Sequence, residues 1–240
     1  MITTKKQGTL EYLTAEEITV PHAFTTRFGG VSTGPQESLN LAFGNGDTME
    51  NVEANLRLLA KGLDFDPEAL VLTRQTHSDI VRVVTKADHQ GFCHREYPEC
   101  DALCTDDPGT ALLVFTADCT PILFYDPVTG AVGAAHAGWR GTASGIAARV
   151  VEAMGREYGS KPENIRAAFG PEAEEWITSN GEKYFLDLKA INRLVLNRAG
   201  VETVEMSDAC TVCQCDRFWS HRVTKGLRGS QGAIIVCRED

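Results

Sequence analysis

At roughly 150 residues per domain, a chain of 240 residues fits one large domain, residues 1–240, better than two. Hydrophobic residues make up 42% and charged residues 23%, the balance of an ordinary globular chain, which excludes disorder, collagen-like repeats and coiled coils. With 23 Lys and Arg against 33 Asp and Glu the formal net charge is −10, which argues against a nucleic-acid partner, since such binding needs basic surface to neutralise phosphates. A small anionic substrate would need local arginines.

Behind Lys5 and Lys6 there is no apolar stretch of the kind a secretory signal carries, so unless processing has already removed one, the expectation is a cytoplasmic protein. From Asp47 the order Asp-Thr-Met-Glu reads as a helix N-cap with Glu50 at the third helical position. Val52, Leu56, Leu59 and Leu63 then keep a helical apolar stripe. Strand-like runs follow at 69–73, 80–84, 110–116, 121–125 and 131–135, rich in β-branched and aliphatic residues. The last two are separated by Asp126-Pro127-Val128-Thr129-Gly130, a hairpin loop rather than a helical crossover. A second helix is expected from Thr142, with Ile146, Val150 and Met154, ending at Gly159 and Pro162. A third follows Asp187, with Leu188, Ile191 and Val195, and a final strand spans 232–237. No run reaches the roughly 18–20 apolar residues of a membrane helix, so no membrane partner is expected. The pattern predicts an α+β fold of layered mixed β-sheets flanked by helices, and no glycine fingerprint for a dinucleotide or a P-loop is present.

Eight cysteines are too sparse for a disulfide scaffold, which turns attention to buried thiols, metal ligands or a nucleophile. Three segments interrupt or follow apolar strands with polar residues: Gln75-Thr76-His77-Ser78, Thr116-Ala117-Asp118-Cys119-Thr120-Pro121, and Ala135-His136-Ala137-Gly138-Trp139-Arg140-Gly141. Strand ends are where a scaffold presents reactive groups, so His77, Cys119 and His136 are candidates to converge. Two His and one Cys with an open fourth position form a catalytic-type zinc set, in which the metal acidifies bound water. The separations of 42 and 17 residues match no local zinc motif. A metal-free pair, with Cys119 as nucleophile and either His as base, explains the same residues. Asp118 beside Cys119 is a candidate for proton transfer or for the cap of a turn. Arg27, Asn40 and Arg140 are candidates to bind phosphate and ribose, because guanidinium and amide donors suit oxyanions and hydroxyls. Cys210-Thr211-Val212-Cys213-Gln214-Cys215 lacks a matching second pair and reads as core or turn thiols.

Read in order, Phe24-Thr25-Thr26-Arg27-Phe28-Gly29-Gly30-Val31-Ser32, Ser38-Leu39-Asn40-Leu41, Gln75-Thr76-His77, Asp101-Ala102-Leu103, Thr116-Ala117-Asp118-Cys119-Thr120-Pro121 and His136-Ala137-Gly138-Trp139-Arg140-Gly141-Thr142 resemble the laccase-domain, multicopper polyphenol oxidase-like family. The resemblance extends through Tyr184-Phe185-Leu186-Asp187-Leu188 to Phe218-Trp219-Ser220-His221-Arg222. It implies a zinc site on His77, Cys119 and His136, with copper as a possible alternative. The implied activities are phosphorolysis of adenosine, inosine and methylthioadenosine, and deamination of adenosine, with purine nucleoside and phosphate as partners. A role in peptidoglycan editing and an older assignment of copper-dependent phenol oxidation are also implied. The oxidase reading is weak here, because one His2Cys position and six His in the whole chain cannot furnish a multicopper cluster. Two departures stand out. Gly170-Pro171 runs straight into Glu172-Ala173-Glu174-Glu175-Trp176 where the family usually carries a further segment, which reads as residues left out of the sequence rather than lost. The family's late Thr-Gly-Arg pattern is altered to Gly226-Leu227-Arg228, which leaves the match of its arginine to Arg228 open.

Overall fold

The computed structural model describes residues 1–91, 97–173, 175–179 and 182–238, with only the backbone given for 175–179 and 183–185. Cys93, one of the counted cysteines, and Glu174 lie outside the described residues. The N-terminal part contains β1 (Ile2–Gln7), β2 (Leu10–Ala15), β3 (His22–Thr25), α1 (Met49–Leu63), β4 (Leu70–Leu72), β5 (Val81–Val83) and β6 (Ala102–Thr105). The middle contains β7 (Ala111–Thr116), β8 (Thr120–Tyr125), β9 (Val132–Ala137), α2 (Trp139–Ala143), α3 (Ile146–Tyr158) and β10 (Arg166–Phe169). After these come β11 (Glu175–Ser179), β12 (Glu182–Leu186), α4 (Leu188–Arg198), β13 (Thr203–Met206), α5 (His221–Thr224) and β14 (Gln231–Val236).

Two six-stranded sheets result, with strand orders β1-β2-β3-β14-β7-β4 and β13-β10-β8-β9-β6-β5. Both are mixed: β4 with β7, β5 with β6 and β10 with β13 pair parallel, and the remaining pairs are antiparallel. The period-2 alternation of each central strand divides the core. Leu112 and Val114 of β7, Ala233 and Ile235 of β14, Leu123 and Tyr125 of β8, and Val132 and Ala134 of β9 fill the space between the sheets. The alternate residues face outward: Leu113 and Ile234 pack beneath Leu56 and Leu59 of α1, and Ile122 and Phe124 beneath Val150 and Met154 of α3. The layers are therefore helix, sheet, sheet, helix, the expected α+β arrangement of mixed sheets flanked by helices.

The 126–130 loop closes the β8–β9 hairpin in antiparallel register, as its turn chemistry requires. Local differences have local causes. α1 is capped by Thr48, whose hydroxyl accepts from the Asn51 N–H. Asp47 instead accepts from Ser32, Asn40 and Asn51 side chains. The helix expected from Thr142 is two helices, because Gly145 at φ +78° breaks the chain between α2 and α3. After Ala173 come the antiparallel pair β11–β12 and then α4.

Candidate functional site

β8 begins and β9 ends at the same end of the second sheet, where Pro121 pairs with His136. Cys119 and His136 therefore sit side by side, with His136 on the same alternating face as Val132 and Ala134, between the sheets, and 4% exposed. His77 reaches them from the loop after β4. That loop is held to β7 by Gln75, whose amide donates to Phe115 O at 2.8 Å and accepts from Phe115 N at 2.7 Å, mimicking a strand pair. The ligand-type atoms of His77, Cys119 and His136 all lie within 4.8 Å of one another. Cys119 Sγ is 3.8 Å from His77 Nε2, and the two imidazoles meet edge to face with centroids 4.9 Å apart.

Asp101, fully buried, organises this group. Its carboxylate accepts from His136 Nδ1 at 2.8 Å, from the N–H groups of Thr76, His77 and Ser78, and from the Ser78 hydroxyl. His136 is thereby fixed with Nε2 free to face Cys119. Burial alone would raise the Asp101 carboxyl, but the donors from His136 and Ser78 hold it down at about 2. Burial would likewise raise the Cys119 thiol, and the His136 and His77 imidazoles overcome it and lower it well below the usual thiol range. His136, which burial would push down, is pushed up by the Cys119 sulfur and by Asp101. The loop backbone is strained into this shape: His77 at φ +60° and Asp118 at φ +97° occupy the left-handed region. A Cβ on Gly138 would stand 2.7 Å from His77 Cδ2 and 3.2 Å from Cys119 Sγ, so glycine here leaves the room that the imidazole and the sulfur occupy.

The group opens into a cavity of about 390 Å³ whose lining includes His77, Cys119, Trp139, Arg140, His221 and Arg222. Trp139 is 39% exposed, and the Arg140 guanidinium lies 4.7 Å from its ring centroid. Asp118 also lines the cavity, but both its oxygens are engaged: Oδ1 accepts from Thr211 Oγ1 and Oδ2 from the Arg222 N–H. Its visible role is to tie the Cys119 loop to the C-terminal segment. A wider depression of about 680 Å³ lies over β1, β2 and the end of α1. His22 there is bonded through both ring nitrogens, to Ala15 N–H and Val20 O.

Of the other candidates, Arg140 lies in the cavity, whereas Arg27 and Asn40 do not line it. Arg27 donates to Glu37 O and Cys215 O and stacks 4.0 Å from the Trp219 ring centroid. Asn40, fully buried, donates to Ala42 O and Asp47 Oδ2 and accepts from the Ala42 and Ser230 N–H groups. These bonds knit residues 27–47 to the C-terminal segment. Gly30 belongs to this network, since a Cβ there would meet Ser38 O at 2.3 Å. Among the described residues, the cysteines at 210, 213 and 215 enter no three-donor group. Asp101, Trp139, His221 and Arg222 were visible only as letters of motifs. The one local signal for Asp101 is an acid placed immediately before the apolar β6.

A family model described as "Multi-copper polyphenol oxidoreductase laccase" matches residues 21–176 and 172–238. The chain belongs to this family. The two matches meet where Pro171 leads into the β11–β12 hairpin. A purine nucleoside phosphorylase of Deinococcus radiodurans is 39% identical over 94% of this chain and 92% of its own. The purine nucleoside phosphorylase YlmD of Geobacillus stearothermophilus is 37% identical, over 90% and 89%. The crystal structure of YlmD from the same organism superposes with a TM-score of 0.90 at 34% identity, covering all of both chains. The YfiH protein of Bacillus licheniformis gives 0.89 at 33%, covering 98% of this chain and 99% of that one. These family members share the architecture of two mixed sheets with flanking helices, and their names mark the family as one of enzymes.

Proposed function

We propose that the chain is a zinc-dependent purine nucleoside phosphorylase acting on adenosine, inosine and methylthioadenosine, with adenosine deamination as a second activity of the same site. One observation carries the reading. A convergent His77, Cys119 and His136 group opens, through His77 and Cys119, into a cavity lined by two arginines, on a chain whose net charge is −10. The names of its relatives support the same class of substrate.

Two imidazoles and a thiolate are a donor set suited to zinc, and the Asp101 contact gives His136 the tautomer that a metal ligand needs. A zinc ion held by these three residues would supply Lewis acidity at the floor of the cavity. The chain's own residues do the rest. Arg140 and Arg222 draw phosphate into the cavity with planar, directional guanidinium donors. The exposed indole of Trp139 offers a flat apolar surface for a purine ring. Phosphate held by the arginines is brought in line with C1′ of the nucleoside, where it displaces the base from N9. Copper-based oxidation fits the histidine positions poorly. His22 is bonded through both nitrogens and His89 Nε2 bonds Thr110 Oγ1, so neither extends the cluster toward a second copper.

Release of hypoxanthine from inosine tests the proposal. The expected result is release that requires phosphate and yields ribose 1-phosphate in equal amount, by protein holding about one equivalent of zinc that Cys119→Ala loses. Equal release without phosphate overturns phosphorolysis. Metal content below about half an equivalent in protein purified without chelator overturns the zinc site. A Cys-dependent hydrolase is the second reading, favoured by the order Asp101, His136, Cys119, in which an acid orients a base beside a thiol. Hydrolysis that survives a chelator would select it.

A further inference from the structure

Phosphorolysis leaves one chemical demand unmet by the residues assigned so far. When the bond from C1′ to N9 breaks, its electron pair moves into the base, and the purine departs as an anion unless a proton reaches its five-membered ring. Most ionisable groups lining the cavity are committed. His77 and Cys119 belong to the donor group, Asp118 uses both oxygens on Thr211 and the Arg222 backbone, and the Arg140 and Arg222 guanidiniums are assigned to phosphate.

His221 remains. Its side chain is exposed to the cavity, and among the described residues its imidazole has no hydrogen-bond or ion-pair partner. Its backbone, by contrast, is pinned on both sides. Trp219, 1% exposed, donates its N–H to Gln231 Oε1 at 2.6 Å, and the Ser220 hydroxyl caps α5 by accepting from Val223 N. The Arg222 N–H is held by Asp118 Oδ2 at 2.8 Å, which ties α5 to the Cys119 loop. His221 O accepts from the N–H groups of Lys225 and Gly226, and the ring lies over Gly226, where a Cβ would come within 3.4 Å of Cε1. A free imidazole on an anchored backbone, facing the same cavity as the donor group, is what a proton donor requires.

We infer that His221 is the acid that protonates the departing purine at N7. The role rests on the phosphorylase reading. As a phosphate oxygen forms its bond to C1′ and the bond to N9 breaks, the His221 imidazolium transfers its proton to N7 and becomes neutral. The base leaves uncharged. His221 is recharged by the proton that the phosphate gives up on becoming an ester, relayed through solvent.

The test compares two substrates in wild type and His221→Gln, which keeps a polar side chain of similar size and can hydrogen-bond but cannot transfer a proton. Inosine needs protonation to leave, whereas 7-methylinosine carries a fixed positive charge on the same ring and does not. The expected result is a fall in kcat of at least about 100-fold on inosine, the scale of general acid catalysis, with kcat on 7-methylinosine within about threefold of wild type and metal content unchanged. Equal losses on both nucleosides, or no loss on inosine, overturn the role of His221 while leaving phosphorolysis standing. A wild-type protein that splits neither nucleoside with phosphate overturns the phosphorylase reading, and this role with it.

Discussion

Asp101 Oδ1 lies 2.8 Å from His136 Nδ1, and the same carboxylate gathers the Thr76, His77 and Ser78 N–H groups. One buried acid thus sets both the tautomer of one donor residue and the backbone of another. Asp101→Asn should weaken metal binding about 10- to 100-fold, the usual cost of removing an outer partner from a ligating histidine. A competition titration with a chromogenic chelator measures it, and unchanged affinity would separate Asp101 from the donor group.

The same carboxylate predicts a dependence of stability on acid. Asp101 titrates at about 2 in the fold against 3.8 ordinarily, so its contribution is complete above the ordinary value and is lost as the pH falls from about 4 to about 2. The difference is on the order of 2 kcal/mol for this fully buried group. Urea unfolding between pH 5 and 2 should show this loss in wild type, and Asp101→Asn should flatten that part of the curve.

Cys119 offers a chemical readout. With its thiol lowered by His136 and His77, Cys119 in metal-stripped protein at pH 7 should react with iodoacetamide at least about tenfold faster than the buried Cys104 or Cys237, whose burial raises their thiols. Zinc should protect it. Mass spectrometry of the alkylated peptides decides, and equal labelling of the three cysteines would show that the paired imidazoles do not activate the sulfur.

Gly138→Ala places a methyl group 2.7 Å from His77 Cδ2, too close to be absorbed without moving the imidazole. The expected protein folds, since Gly138 sits at the turn from β9 to α2 with φ −71°, open to any residue, but retains less than half an equivalent of zinc. Circular dichroism with elemental analysis reads both properties, and full zinc occupancy would contradict the packing.

Arg140→Ala should raise KM for phosphate roughly tenfold or more, the worth of one charge-assisted hydrogen bond of about 1.5–3 kcal/mol, and leave zinc content intact. Arg27→Ala should act differently. Its guanidinium holds Glu37 O and Cys215 O, so the loss should appear in the melting temperature and not in KM. Steady-state kinetics and thermal melts on the two variants distinguish the roles, and a phosphate effect from Arg27 would place it in the cavity after all.

Much of this protein was written locally. The heptad-like stripe of Val52, Leu56, Leu59 and Leu63, the Asp187 cap of α4 and the turn at 126–130 declared their elements, because helix capping, apolar periodicity and turn chemistry act over a few residues. The resemblance also put His77, Cys119 and His136 together, and the fold brings them within 4.8 Å. Strands β3, β6 and β10, of four residues each, were not legible. Such pieces are too short to show a period, and pairing on both sides stabilises them, β3 between β2 and β14, β6 between β5 and β9, and β10 between β8 and β13. Arg27, Asn40 and Arg140 looked alike as polar letters in motifs, yet one lines the cavity, while Asn40 is buried and the half-buried Arg27 is bonded to Glu37 O and Cys215 O. Asp101 shows the same limit most clearly. Its partners lie 24 and 35 residues away, so the role of this acid came into being only when β6 and β9 paired and carried it beneath the two histidines.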